Sequence, residues 1–559
     1  MSLPPANASL IDVSPSRRHD TAAKCIVVAI ALALWVPRFA GPLDLRYDAG
    51  VYYILGTSLA EGRGYRLLNE PGAIEAIQYP PLLPLFVAAH QLAVRAVRSA
   101  DPVTVGHAMR WSYAAMFVAY GLVLHAFLGR HLAPAWALLG SVLCLLHLQL
   151  VWLSDLLFAE LPFALCTVLF LVVAERQERR WRPGVLAIAT YLLRSAGIAV
   201  LAAWAADALL RGRYRAMLVR VTFALVPVLV WQTYIARVQH GDEYRHPAYA
   251  YQRAPYQYYN VGYLENMAYL DSFAPERGRA SALQLAERVG TNLLRLPVAL
   301  GASVSVDAGW LRGTLRDVNE RHLPWQIPLE VANVLLGVLG LACVAGQALL
   351  AWRGARLVAL YWLGSLVLIA LTPWELQFGR YLMPLAPLTV LGLLTTLGPL
   401  ASRTSRPLLR LATITGLGAI VVTQTLVLAV VFARQHPATA AGDHRLFFYG
   451  PPWREHEAAV AWLAGAAAPD QIVATSTPYW VHLATGLRAV LPPFEADAAE
   501  AERLLDDVPV DYLVIDDLDF VDITRRYAER VVLAHPERWQ LVHGNPTNGS
   551  RIYRRVRGG

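Results

Sequence analysis

The chain has 559 residues, 56% of them hydrophobic and 16% charged, with mean hydropathy +0.39 and net charge +8. Soluble domains carry about 25% charged residues, and here the apolar residues come in blocks, so a soluble protein is excluded and a polytopic membrane protein is expected. Its basic residues, all arginine except Lys24 as in a GC-rich bacterial genome, sit in short loops between apolar runs rather than in a nucleic-acid stripe, and Cys25, Cys144, Cys166 and Cys343 lie inside apolar runs, which argues against a disulfide framework or a metal cluster.

Residues 1–21 read as a polar cytoplasmic tail, and the first span as roughly 22–40, within a membrane domain of residues 22–433. Arg17, Arg18 and Lys24 place the N-terminus inside and the following loop outside. No small-residue cleavage site follows the first apolar run, so it reads as a retained span. The loop from about 41 to 110 holds two helix-like pieces. The first starts at Asp48, whose carboxylate is expected to cap it; Val51, Tyr52, Leu55 and Leu59 share one face, and Gly62 and Gly64 end it. The second, Pro81 to about Val97, is apolar enough to cross. A crossing there would put Arg176, Arg179, Arg180 and Arg182, and then Arg211, Arg213 and Arg215, on the outside. Both pieces are therefore expected as juxtamembrane helices in the outer interface.

Further spans are expected at about 111–129, 132–151, 156–174 and 216–236. Between the last two, Gly184 to Leu210 is too long for one crossing and holds Arg194 at its centre. It reads as two short crossings that turn near the outer face, because a lone arginine in mid-membrane is costly. Residues 237 to about 323 read as a long outer loop dense in tyrosine, and loops of that length are usually functional. Spans at about 325–350, 357–373, 381–399 and 409–432 complete a count of about eleven. Residues 434–559 look soluble and extracytoplasmic. Helices and short strands alternate there, with strands at Gln471–Thr475, near Val490 and at Tyr512–Ile515, a turn at Asn545–Gly549 and a last strand at Arg551–Val556, the pattern of a small α/β layer domain. Asp516 and Asp517 follow a strand end, where α/β sheets place ligands.

The candidate chemistry begins with Asp48, flanked by Arg46, Tyr47, Tyr52 and Tyr53 and followed by the Tyr79-Pro80-Pro81-Leu82 return. Further along come Leu156-Leu157-Phe158-Ala159-Glu160, Leu193-Arg194-Ser195-Ala196-Gly197 and Gly379-Arg380-Tyr381-Leu382-Met383-Pro384. This ordered set resembles the GT-C superfamily of membrane glycosyltransferases, in its bacterial branch around protein O-mannosyltransferases and lipid A aminoarabinose transferases (glycosyltransferase family 39). The resemblance implies a polytopic helical GT-C fold with about eleven transmembrane helices, two juxtamembrane helices and a small C-terminal α/β domain. It implies transfer of a sugar, with inversion, from a polyprenyl-phosphate donor to an envelope lipid, glycan or protein at the outer face of the bacterial cytoplasmic membrane.

An inverting transfer needs one carboxylate to take the acceptor proton, and a phosphate leaving group needs cations more than an acid. Asp48 is the expected base. Arg380 and Arg194 are the expected phosphate contacts, Glu160 the orienting acid, and Tyr52, Tyr79 and Tyr381 the further substrate contacts. The lipid bilayer, the lipid-linked donor and an envelope acceptor are the expected partners; no nucleic acid, cofactor or metal is expected. Two departures stand out. Many relatives carry an Asp-Glu pair where this chain has Asp48-Ala49, and the lysine that aminoarabinose transferases hold near the Tyr-Pro turn is missing. The competing readings are a flippase of lipid-linked saccharide and a non-catalytic relative. A flippase of repeated halves with polar groups at mid-membrane matches the pattern less well.

Overall fold

Residues 17–176, 181–322, 325–402, 404–440, 445–518, 522–545 and 548–556 are described in a computed structural model. Most of the expected tail, Arg179, Arg180, Arg403 and the centre of the last turn lie outside the described residues. Among the described residues, six helices are long and apolar enough to cross a membrane: Asp20–Ala40, Pro102–Leu128, Tyr214–His240, Glu330–Trp352, Glu375–Ser402 and Pro407–Arg434. A seventh candidate is the pair Ala282–Val304 and Ala308–Arg321, bent by 77°. The expectation of eleven is thus met in part. Its other crossings correspond to shorter helices, Pro134–Leu145, Glu160–Arg176, Arg182–Leu193, Ile198–Leu210 and Arg356–Ala370.

The long helices carry aliphatic side chains outward on one face. Leu218, Leu225 and Leu229 are exposed along Tyr214–His240, and Val334, Val338 and Leu341 along Glu330–Trp352. Helical spacing gathers such residues into a continuous apolar wall, which suits lipid rather than water. Inside, the bundle closes through small residues. A Cβ on Gly346 would stand 1.8 Å from the Gly392 carbonyl oxygen, so only glycine permits this approach of Glu330–Trp352 to Ala386–Ser402.

Two expectations are corrected. The stretch expected as one outer loop, 237–323, contains the 23-residue helix Ala282–Val304. Its Asn292, Leu296, Leu300 and Val304 are buried at four-residue spacing, while Glu287, Arg288 and Arg295 dilute its hydropathy and Pro297 interrupts its pattern. Asn292 Nδ2 donates to the Ala370 and Thr372 carbonyls, each at 2.9 Å, and fixes the helix to the bundle. Nor does the helix Ala49–Ala60 bury only a single face, as the spacing of Val51, Tyr52, Leu55 and Leu59 led one to expect. Nine of its twelve residues are buried, because Leu82–Arg95 covers one side and the C-terminal domain another. Leu82–Arg95 does expose Leu85 and Leu92.

The C-terminal part follows the expected alternation closely. Its strands are β1 (Ile472–Ala474), β2 (Arg488–Val490), β3 (Tyr512–Ile515), β4 (Trp539–Asn545) and β5 (Asn548–Arg555), in the order β2-β1-β3-β5-β4. β1 pairs in parallel with β2 and β3, and β5 pairs antiparallel with β3 and β4. This sheet domain shares a core with the Asp48 segment: Val51, Ile54 and Leu55 pack in one cluster with Tyr259, Tyr479, Phe494 and Tyr527.

Candidate functional site

The site is assembled from segments brought to one end of the bundle. Backbone bonds zip the arm before Asp48 to the arm before Glu160: Asp44 N–H donates to the Asp155 carbonyl (3.1 Å) and Leu157 N–H to the Asp44 carbonyl (3.0 Å). Below them lies a buried charge scaffold. Arg110 pairs with Asp155 and donates to the Gly41 carbonyl. Arg38 donates to Ser154 Oγ (2.8 Å) and to the Val151 carbonyl (2.9 Å). Arg46 pairs with Asp44 at 2.7 Å and reaches the carbonyls of Phe447 (2.7 Å) and Phe448 (3.1 Å), on the approach to the C-terminal domain. Tyr47 then turns the chain with φ 57°, a left-handed conformation that non-glycine residues adopt rarely and at a cost.

Asp48 sits at the N-cap position of Ala49–Ala60, but its side chain makes no capping bond. This corrects the expected cap: the backbone at Asp48 is already helical (φ −60°, ψ −16°), and the carboxylate has better partners. Arg380 Nη1 donates to Oδ2 at 2.6 Å, and the Tyr259 hydroxyl donates to Oδ1 at 2.8 Å. Arg380 also donates from Nε to Glu160 Oε1, and Arg194 pairs with the same oxygen. The result is an unbroken chain, Asp48–Arg380–Glu160–Arg194, of two carboxylates and two guanidiniums. Glu160 is fully buried and its Oε2 has no hydrogen-bond partner among the described residues. The side chains of Asp48, Arg380 and Arg194 keep 19%, 14% and 17% of their surface exposed. The helix break expected at Arg194 is present: Arg182–Leu193 ends there and a short 3-10 turn, Ser195–Gly197, leads into Ile198–Leu210.

Aromatic rings wall the quartet. The Arg380 guanidinium lies 4.2 Å over the Phe158 ring and that of Arg194 lies 5.9 Å over Tyr381. Tyr52 and Tyr79 meet at a tilt of 51° with centroids 4.7 Å apart, and Tyr259 meets Tyr479 edge-on at 4.6 Å. The Tyr381 hydroxyl lies 3.4 Å from that of Tyr263. Burial, and then the Asp48 carboxylate, push the Tyr259 hydroxyl well above its usual 10, so it remains a donor.

All seven residues named from the sequence therefore fall in one cluster. Tyr259 and Tyr263 join it without having been singled out, and Phe158 joins it from the Leu156–Glu160 motif; the only sequence signal for the tyrosines was the density of the 249–263 stretch. Asp155, five residues before Glu160, belongs to the scaffold. Asp516 spends its carboxylate on Ser476 Oγ (2.7 Å), Thr524 Oγ1 (3.0 Å) and the Leu518 N–H (3.2 Å), and is fully buried. Among the described residues, no three His, Cys, Asp or Glu side chains stand close enough to share a metal ion.

The chemistry open to such a cluster is acceptance of a proton at Asp48 and neutralisation of an anion by two guanidiniums whose present partners are carboxylates, the groups a phosphate most readily replaces.

No protein-family model matches the chain, and no curated protein matches it by sequence. Solved structures do. The oligosaccharyltransferase of Archaeoglobus fulgidus, in its apo form, superposes with a TM-score of 0.54 at 13% identity, over 97% of this chain and 75% of that one. The same organism's AglB, in complex with an inhibitory peptide and a dolichol-phosphate, gives 0.51 at 12% identity over 96% and 74%. ArnT from Cupriavidus metallidurans, bound to undecaprenyl phosphate, gives 0.49 at 12% identity over 96% and 98%. At these identities the likeness is one of fold, and the fold is the GT-C fold that the motifs lead one to expect.

Proposed function

We propose that the chain is an inverting glycosyltransferase, which takes a sugar from a polyprenyl-phosphate donor and places it on a cell-envelope acceptor at the outer face of the bacterial cytoplasmic membrane. The observation that carries this reading is the Asp48–Arg380–Glu160–Arg194 chain, drawn from four distant segments to one partly open end of the bundle. In the reaction, the acceptor hydroxyl gives its proton to Asp48 as its oxygen bonds to the anomeric carbon. The bond from that carbon to the donor phosphate breaks on the opposite face, and the phosphate leaves with the electron pair. Arg380 and Arg194 neutralise the charge that grows on it. Glu160 holds both guanidiniums side by side, and the tyrosine walls offer faces and hydroxyls to the sugar. The fold neighbour in complex with a dolichol-phosphate agrees with a lipid-phosphate donor.

The test is complementation of a deletion strain, read by mass spectrometry of its lipid-linked sugars and envelope glycans. Deletion is expected to remove one glycan modification and to leave its lipid-linked sugar unused. Asp48→Asn, produced at normal level, is expected to lower transfer by about 100- to 10,000-fold, the usual contribution of a general base. Transfer at the wild-type rate by the Asn variant would remove Asp48 from the mechanism. Movement of lipid across the bilayer without a new glycosidic bond would mark a flippase.

A further inference from the structure

A cavity of about 330 Å³ opens at the other end of the bundle from Asp48. It is a separate place: Glu160 at the site and Glu175 in the cavity wall are fifteen residues apart on the helix Glu160–Arg176, about 22 Å at the rise of an α-helix. Its walls are the ends of several helices. Glu175 pairs there with Arg130 (2.9 Å) and His131 (3.1 Å), and Asp207 with Arg211 (2.9 Å) and Arg220 (3.4 Å). Two more arginines, Arg353 and Arg356, come from the turn between Glu330–Trp352 and Arg356–Ala370. The Arg356 guanidinium holds only the Leu210 carbonyl, at 3.3 Å, and the Arg353 guanidinium has no ion pair or hydrogen bond among the described residues.

Among the described lining residues, five guanidiniums stand against two carboxylates, an excess of three positive charges facing one concavity. The positive-inside bias accounts for arginines at this end. It does not account for their convergence, because arginines free to snorkel spread apart into water and like charges held together in a hollow repel. Exposed apolar residues adjoin the lining in the chain: Trp352, 84% exposed, precedes Arg353, and Leu209 and Leu210, half exposed, precede Arg211. Charge in the concavity with exposed apolar side chains next to it in the chain matches a ligand with a phosphate head and acyl tails, and basic pockets between transmembrane helices bind such heads.

We propose that this cavity binds the phosphate headgroup of an anionic phospholipid, in the leaflet opposite the Asp48 cluster. Arg353 and Arg356 grip the phosphate oxygens, and Trp352, Leu209 and Leu210 lie along the acyl chains. The proposal stands independently of the glycosyltransferase reading, since it uses none of its residues.

The full-length protein, delipidated in neutral detergent, is titrated with phosphatidylglycerol or phosphatidylcholine and followed by native mass spectrometry and by Tm. Phosphatidylglycerol is expected to bind at least ten-fold more tightly than phosphatidylcholine and to raise Tm. Arg353→Gln, which breaks no contact, and the double variant Arg353→Glu with Arg356→Glu are expected to weaken that binding by about five-fold and at least ten-fold. Arg215→Glu, an exposed arginine outside the cavity, is expected to leave it unchanged. Equal binding of the two lipids, or wild-type affinity in folded Arg353→Gln, would overturn the proposal. So would a full Tm rise with inorganic phosphate alone, which would make the ligand a soluble anion.

Discussion

Two networks of arginine and carboxylate lie one above the other, and they differ in how their donors are spent. In the lower network, Asp44, Asp155, Arg38, Arg46 and Arg110 are each at most 5% exposed, and every guanidinium also serves backbone carbonyls. In the upper one, Arg380 and Arg194 pair with carboxylates and retain exposed surface. A guanidinium that holds backbone carbonyls cannot leave without orphaning them. One that holds only carboxylates can exchange them for a ligand's oxygens. The same residue types therefore build a scaffold in one place and a receptor in the other.

The largest effect expected from this contrast is on stability. Asp155→Ala leaves Arg110 and Arg38 buried around a missing charge, and breaking such a pair costs about 3–5 kcal/mol. Thermal unfolding in detergent should show it as a fall of a few degrees, and an unchanged Tm would mean that the lower network is not a scaffold. Arg380→Lys keeps the charge but cannot span Asp48 and Glu160 with separate nitrogens. It should lose about 10- to 100-fold in kcat/KM for the lipid donor with little change in Tm; equal loss of Tm would move Arg380 into the scaffold. Tyr259→Phe removes one hydroxyl donor to the Asp48 carboxylate, worth about 1.5–3 kcal/mol, so transfer should slow about ten-fold or more. Because the Tyr259 hydroxyl sits well above its usual 10, both forms should keep the same pH profile up to pH 10, and an alkaline limb lost in the Phe variant would contradict this.

The smallest effect concerns a third, uncharged network. His456 is buried in the sheet domain, 2.7 Å from Thr477 Oγ1, and burial pushes it below its ordinary 6.5. The unfolded chain takes up a proton as pH falls through about 6.5 while the folded chain resists, so the stability present above that pH is lost below it. One proton gives a slope of at most about 1.4 kcal/mol per pH unit. His456→Gln should flatten the acid side of Tm against pH, and an unchanged slope would exclude His456 as its source.

Much of this was legible in the chain. The strands of the sheet domain announce themselves by short apolar runs between turn residues, and the break at Arg194 by the cost of an arginine inside a span. The quartet was legible as residues, but not as a connected chain, because its members are joined across separations such as the 332 positions between Asp48 and Arg380, which no local pattern records. Tyr259 was hidden for the same reason, one tyrosine among many. The helix Ala282–Val304 was hidden by its own charges. Asp48 looked like a cap because local rules reward that role, and the long-range partners outbid it.

The bond from Arg46 to the Phe448 carbonyl joins positions 402 residues apart. A ribosome adding about 5–20 residues per second needs roughly 20–80 s to make the second partner after the first. Through that interval the segment bearing Asp48 is in the membrane without the cover that Tyr479 and its neighbours provide. The Asp48 end is thus completed last, and a chain cut short before the sheet domain carries every one of the four charged residues yet lacks the carbonyls that anchor Arg46 and the rings that cover Ala49–Ala60.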